Sequence, residues 1–297
     1  MGLGRDGDNS AGTRKPALRV VSVHRIADAV AELCRTANTL LPPDVYRALA
    51  AARAEEISLV GQMTLQQILD NAEYAAQSGV ALCQDGGVTL VFLDIGQEVH
   101  LVGGLLEDAV QEGVRRGYHT SYLRGSILDR PFGGKNTGDN TPAILYPKIV
   151  TGSQVTVTVM PKGGGADNTS RLAMLTPAGG LDAVHDFLLE TVEKAGPASC
   201  PPLIVGIGLG GSFDYVGQLA KRALLRDIGT PNEDPALYAL EQQWLRDINQ
   251  LGIGPQGYGG AMTALAVHIV GHARHIASIP VAVNLQCHSA RKGTVVL

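Results

Sequence analysis

Long apolar runs are missing from this chain of 297 residues. Gly, Pro, His or a charged side chain interrupts every stretch of the kind seen at Ile204-Val205-Gly206-Ile207, so none approaches the roughly 18 residues that a membrane-spanning helix needs. A cationic excess is missing too: 24 Lys and Arg stand against 28 Asp and Glu, a net charge of -4. That balance removes the sequence-independent attraction for phosphate on which nucleic-acid binders rely. Neither a membrane nor a nucleic acid is therefore expected as a partner. The segment Met1 to Pro16 carries no apolar stretch and reads as a flexible polar tail, not a secretory signal, which points to a cytoplasmic protein. Aromatic residues are few, at 4%, whereas glycine is abundant, at 37 residues, so many loops should be defined by backbone. The four cysteines, Cys34, Cys83, Cys200 and Cys287, lie far apart. Such spacing disfavours a disulfide framework and leaves buried thiols or metal ligands. With 45% hydrophobic and 18% charged residues, the chain is long and apolar enough to bury its own core.

The patterning divides the chain into a helical part, 23–80, and a mixed α/β part, 81–297. Ile26, Val30 and Leu33 recur at helical spacing between Val23 and Asn38, with Cys34 inside that helix, and a second helix should follow Pro42-Pro43. Thr64-Leu65-Gln66-Gln67 has the form of a capping box, predicting a third helix to Ser78 that stops at Gly79. Val88 to Ile95 and Gln154 to Met160 read as strands, Leu105 to Arg116 as a helix, and Gly125 to Thr141 as a long loop. Further on, Leu181–Lys194, Phe213–Leu225 and Ala261–Ala277 read as helices, and Pro202–Ile207 and Val281–Leu285 as strands. The fold class is α/β, or α+β, with a mixed sheet flanked by helices.

Several motifs carry candidate chemistry. Gly206-Ile207-Gly208-Leu209-Gly210-Gly211 fits the glycine pattern of a dinucleotide loop. The acidic residue that a Rossmann unit places on a second strand is not matched, because Asp227 to Pro235 reads as a turn; a tight strand-to-helix connection is the plainer reading. His268, His272 and His275 fall at i, i+4 and i+7 of the predicted 261–277 helix, a spacing that suits zinc ligands or a proton carrier, though no His-Glu-x-x-His is present. Cys83, Cys200 and Cys287 occupy loops beside Gly, Pro and polar residues, where backbone N–H groups can stabilise sulfur charge; buried structural thiols are the alternative. Lys162-Gly163-Gly164-Gly165 can expose consecutive amides to an anion or form a flexible turn, and Arg124 can grip a carboxylate bidentately or make a surface ion pair.

Taken in order, Cys83-Gln84-Asp85, Arg124, Asn136-Thr137-Gly138-Asp139-Asn140-Thr141-Pro142-Ala143, Lys162-Gly163-Gly164-Gly165, Cys200-Pro201-Pro202, Gly254-Pro255-Gln256-Gly257 and Gln286-Cys287 resemble the iron-sulfur hydro-lyases, class I fumarases and L-tartrate dehydratases. The likeness is to their α-subunit or N-terminal region and runs from Ile26 to Arg291. It implies a single 17–297 domain holding a 4Fe-4S cluster on Cys83, Cys200 and Cys287, with one iron left open as a Lewis acid for a 2-hydroxy dicarboxylate. It further implies Asp85 and His275 as catalytic residues, with His275 moving a proton. Gln84, Arg124, Gly163, Gly164 and Gly165 would contact substrate. A β-subunit supplying further basic residues, and an α–α dimer within an α2β2 assembly, are what the resemblance implies for partners.

Three positions depart from the family pattern. Gly86 stands where Thr is usual, Ala166-Asp167 where Ser-Glu is usual, and Ala261 where a lysine is usual. All three fall in functional loops and leave the cysteines intact, so the substrate is what they put in question. A non-catalytic or partner-dependent subunit with a structural or sensory cluster is the alternative reading.

Overall fold

Ser22 ends a short strand, β1 (Arg19–Ser22), and its hydroxyl accepts the His24 amide at 3.3 Å, which caps α1 (Val23–Thr39). The computed structural model describes residues 18–297, and the polar tail expected over 1–16 lies outside the described residues. Pro43 opens α2 (Pro43–Glu55), its fixed φ suiting a first helical turn. The third helix, α3 (Leu59–Ser78), starts five residues before the expected Thr64. Ser58 is the cap, accepting from the Gly61 amide at 3.2 Å, while Thr64 bonds the Val60 carbonyl from within the helix. As predicted, α3 stops at Gly79, which takes φ +71°.

Two four-stranded sheets follow. The first combines β2 (Val88–Gly96), β4 (Ile144–Val150), β5 (Val155–Lys162) and β10 (Gly293–Val296) in the order β10-β5-β2-β4. Within it β5 runs antiparallel to both β10 and β2, and β2 runs parallel to β4. A short β3 (Val99–Val102) pairs in parallel with β1, and α4 (Leu106–Thr120) packs on α1. The long 125–141 loop carries no strand or helix, only an isolated bridge between Leu128 and Asn136.

After α5 (Gly164–Asn168), the second sheet is built from β6 (Arg171–Leu175), β7 (Leu203–Gly211), β8 (Ala264–Arg274) and β9 (Ile279–Gln286), ordered β6-β9-β7-β8. Here β9 runs antiparallel to β6 and β7, and β7 runs parallel to β8. The helices α6 (Gly180–Ala195) and α8 (Pro235–Asn249) cover one face, and α7 (Tyr215–Ala223) lies against β7 and β9. The α/β class is thus observed, and one prediction is overturned: residues 261–277 form no helix. The run Ala264-Leu265-Ala266-Val267-His268-Ile269 is largely buried as strand β8. A parallel strand covered on both faces reads as a continuous apolar run instead of an alternating one, which is why period alone misassigns it.

Helices α2 and α3 sit between the sheets. Val45, Leu49, Leu65 and Leu69 pack with Leu90, Phe92 and Met160 of the first sheet and with Ile204 and Ala266 of the second. Among the described residues, no helix is long and apolar enough to cross a membrane. The loops entering β2, leaving β5, entering β7 and leaving β9 are brought together where the two sheets meet. Three of those four loops carry a cysteine.

Candidate functional site

The four thiols divide into two kinds. Cys34 is fully buried in α1, and burial pushes its pKa up to about 12. Cys83, Cys200 and Cys287 are free and half-buried in loops. Cys200 stands immediately before Pro201-Pro202 and β7, and Cys287 immediately after β9. Since the two strands are antiparallel, both cysteines lie at one end of the second sheet. The His288 amide donates to the Cys200 carbonyl at 3.3 Å, joining the two loops directly. Gln256 adds a brace, with its backbone and side-chain N–H groups both donating to the Pro201 carbonyl at 2.8 Å and its Nε2 lying 3.0 Å from His288 Nδ1. Cys83 arrives from the first sheet. Burial raises the Cys200 pKa, and the nearby sulfurs of Cys287 and Cys83 raise it further, which places all three thiols in one electrostatic neighbourhood.

These donors suit a polynuclear iron-sulfur group. Among the described residues, no three His, Cys, Asp or Glu side chains converge closely enough to hold one metal ion. A cluster instead takes each thiolate on a different iron and so accepts wider spacing. The Asp85 amide donates to Cys83 Sγ at 3.5 Å, the kind of contact that favours a thiolate.

Asp85 is the best-held acid in the neighbourhood. Burial raises its pKa, yet the opposing contacts outweigh burial and hold the carboxyl below its ordinary value. They are the Gly164 amide on Oδ2 at 2.7 Å, the Gly87 amide on Oδ1 at 2.9 Å, the positive charge of Arg291, and the Ser126 hydroxyl at 3.3 Å. Gly86, beside it, has no room for a side chain: a β-carbon would fall 1.8 Å from the Arg124 carbonyl oxygen. The long loop is thereby pressed onto the Cys83 segment. Asn140, buried and at φ +59°, completes the joint by accepting the Ser126 amide and donating to the Gly87 carbonyl.

Two buried cations here are not apparent from spacing. Arg291 Nη1 donates to the Asp85 carbonyl at 2.5 Å and to Asn38 Oδ1 at 2.8 Å, and Lys162 Nζ donates to the Leu285 carbonyl at 2.7 Å. Both residues are at most 2% exposed. Lys162 ties the end of β5 to the end of β9, and Arg291 ties the segment between β9 and β10 to the Cys83 loop.

The remaining predicted residues are placed as follows. Gln84 is exposed and accepts the Cys83 thiol at 2.9 Å. Arg124 is also exposed, its backbone against Gly86. Gly163 lies beside Asp85 and Arg291, Gly164 spends its amide on Asp85, and Gly165 is at the surface. His275 stands elsewhere: it follows β8 in an exposed turn, before β9 begins, and Cys287 comes after β9 ends. Eight strand residues at about 3.3 Å each separate the two ends of β9, so within one chain His275 and Cys287 are not neighbours. The three histidines share no helical face, since His268 is buried within β8, His272 is exposed near the end of the same strand and His275 is exposed beyond it. The glycine motif has a packing role. Gly206 and Gly208 lie inside β7, where β-carbons would meet the Ala220 and Val216 carbonyls of α7 at 2.4 and 2.2 Å. The motif therefore lets a helix lie close on the strand and is not a phosphate-cradling turn.

Fold and site together define a class: a two-sheet α/β domain in which three cysteine loops meet beside a well-held aspartate. A family model described as "Fumarate hydratase (Fumerase)" matches residues 27–296, and the chain belongs to that family. A protein named "Putative L(+)-tartrate dehydratase subunit alpha" from Methanocaldococcus jannaschii is 39% identical over 274 residues, covering 90% of this chain and 96% of the relative. The "L(+)-tartrate dehydratase subunit alpha" of Escherichia coli O157:H7 is 31% identical over 279 residues, covering 93% and 92%.

Proposed function

We propose that this chain is the α-subunit of a hydro-lyase that interconverts a 2-hydroxy dicarboxylate and its unsaturated acid, with a 4Fe-4S cluster held by Cys83, Cys200 and Cys287. The observation that carries the proposal is the meeting of three half-buried thiols from distant segments beside an ionised Asp85, in a chain belonging to the fumarate hydratase family. When bound, the cluster supplies an open iron as a Lewis acid toward the substrate's hydroxyl and carboxylate oxygens.

The chain's own residues supply the rest. Asp85, kept ionised by two amides and Arg291, accepts or returns the proton at its carboxylate. Gln84 offers its amide beside Cys83, and Arg124 reaches outward to clamp a substrate carboxylate. Gly163 keeps space open between Asp85 and Arg291. His275 is not assigned a step within a single chain. Both relatives are named as α-subunits, which supports a β-subunit as partner, with tartrate or malate as first substrates to try. The α–α dimer of an α2β2 assembly and a cytoplasmic location are part of this reading.

Anaerobic reconstitution with ferrous iron and sulfide should give a brown protein. Cys200→Ser should lose the chromophore, whereas Cys34→Ser should keep it. Equal loss in both variants would remove the ligand assignment, and hydration of a dicarboxylate by the colourless protein would remove the cluster from the chemistry.

A further inference from the structure

Buried charge in this chain does not balance locally. Lys162 is completely enclosed at the end of β5, and Lys221 of α7 is partly enclosed nearby. Asp167 serves both: its Oδ1 lies 2.9 Å from Lys221 Nζ and 3.5 Å from Lys162 Nζ, and it also accepts from Asn284 at 2.9 Å. Among the described residues, no other carboxylate comes within 4.0 Å of either ammonium. The pair of lysines thus shares one aspartate and leaves a positive charge over. Lys162 spends its closest hydrogen bond on the Leu285 carbonyl, two residues before Cys287, and its backbone pairs with Val88 beyond the Cys83 loop. Its backbone is thus joined to the strand that follows the Cys83 loop, and its ammonium to the strand end that leads into Cys287. Burial lowers its pKa to about 8, against the pull of Asp167 and of the Cys287 sulfur.

An uncompensated buried cation is costly unless an anion comes to it. Three thiolates on an iron-sulfur core make an anionic centre. We propose that Lys162 is the internal counter-cation of the centre held by Cys83, Cys200 and Cys287, stabilising the loaded protein at the expense of the empty one. This rests on the cluster reading above. Asp167 belongs to the same device, since by holding Lys221 as well it leaves Lys162 under-neutralised toward the cysteines.

The test uses effects of opposite sign in the empty and loaded full-length chain. Lys162→Met removes the ammonium while Lys221 and Asn284 still satisfy Asp167. The urea midpoint of the empty variant should be unchanged or higher than wild type. Iron release from the reconstituted variant to a ferrous chelator should be about tenfold faster. Lys221→Met, on an accessible helix, should act in the same direction with about threefold faster release, and it decides the matter alone if the first variant does not fold. A Lys162→Met variant that folds but has a lowered empty midpoint marks a lysine that merely supports the fold and overturns the proposal, as does unchanged iron release in whichever variant folds. A wild-type chain that takes up no iron overturns both this proposal and the cluster reading. Normal uptake with an unaltered release rate in the variants overturns this one only.

Discussion

Asp85 shows how uncharged neighbours set the chemistry of a charged one. Two backbone amides and a serine hydroxyl converge on its oxygens, and the carboxylate stays ionised although burial acts against it. Those contacts require the 124–126 segment to lie hard against the Cys83 loop, which only a residue without a side chain permits. Gly86→Ala should force the Arg124 carbonyl away from its present position. The loss of folding stability should be roughly 3 kcal/mol, as for overpacking in a rigid interior, read as a lowered urea midpoint. Substrate turnover should fall with it as Ser126 leaves Asp85; a variant with wild-type midpoint and turnover would show that the loop gives way freely. At this position the long loop's backbone occupies the volume that a side chain such as threonine's would need.

At the scale of elements, the loop from Gly254 to Met262 has almost no regular structure, and one carboxylate anchors its C-terminal end. Glu56, 2% exposed after the end of α2, accepts the amides of Ala261 and Met262 at 2.9 Å each, together with that of Ser58. Through this grip Gln256 is presented to Pro201 and His288. Glu56→Gln turns one acceptor oxygen into a donor facing an amide, and should cost roughly 2 kcal/mol. Hydrogen exchange at Ala261 and Met262 should accelerate well beyond exchange in β7; equal protection in both proteins would show that the loop stands without this clamp. Nothing in the sequence links Glu56 to residue 261, and most of what spacing left unread is of this kind. Helices α1, α2, α6 and α7 and strands β2, β5, β7 and β9 are legible because each has one wet face, a proline or glycine boundary, or a run of β-branched residues. Strand β8 is not, being covered on both faces. The cysteines are legible as candidates by their loop positions, but Lys162 and Arg291 gain meaning only when the two sheets bring distant loops together.

For the whole molecule, the net charge of -4 conceals cations in the interior and an imidazole that cannot easily become one. His268 is 3% exposed on β8, its Nδ1 is 3.2 Å from the Ala223 carbonyl, and the charges acting on it are Arg226, Lys292 and Asp227. Burial, then the two nearby cations, push its pKa down to about 3. In the unfolded chain the ring protonates near pH 6.5. Between those values the unfolded state binds the extra proton, so stability is complete above pH 6.5 and is lost progressively as pH falls toward 3. At about 1.4 kcal/mol per pH unit, moving from pH 7 to pH 5 should remove roughly 2 kcal/mol through this residue alone. Urea unfolding of the wild type and of His268→Gln, whose amide can still donate to Ala223, separates this share from that of other groups. The variant should lose about 2 kcal/mol less over the same interval, and parallel losses in the two proteins would mean that the fold admits a charged imidazole inside β8. Acid would then weaken the molecule through its carboxylates and through His288, whose pKa burial also lowers against the Cys200 carbonyl.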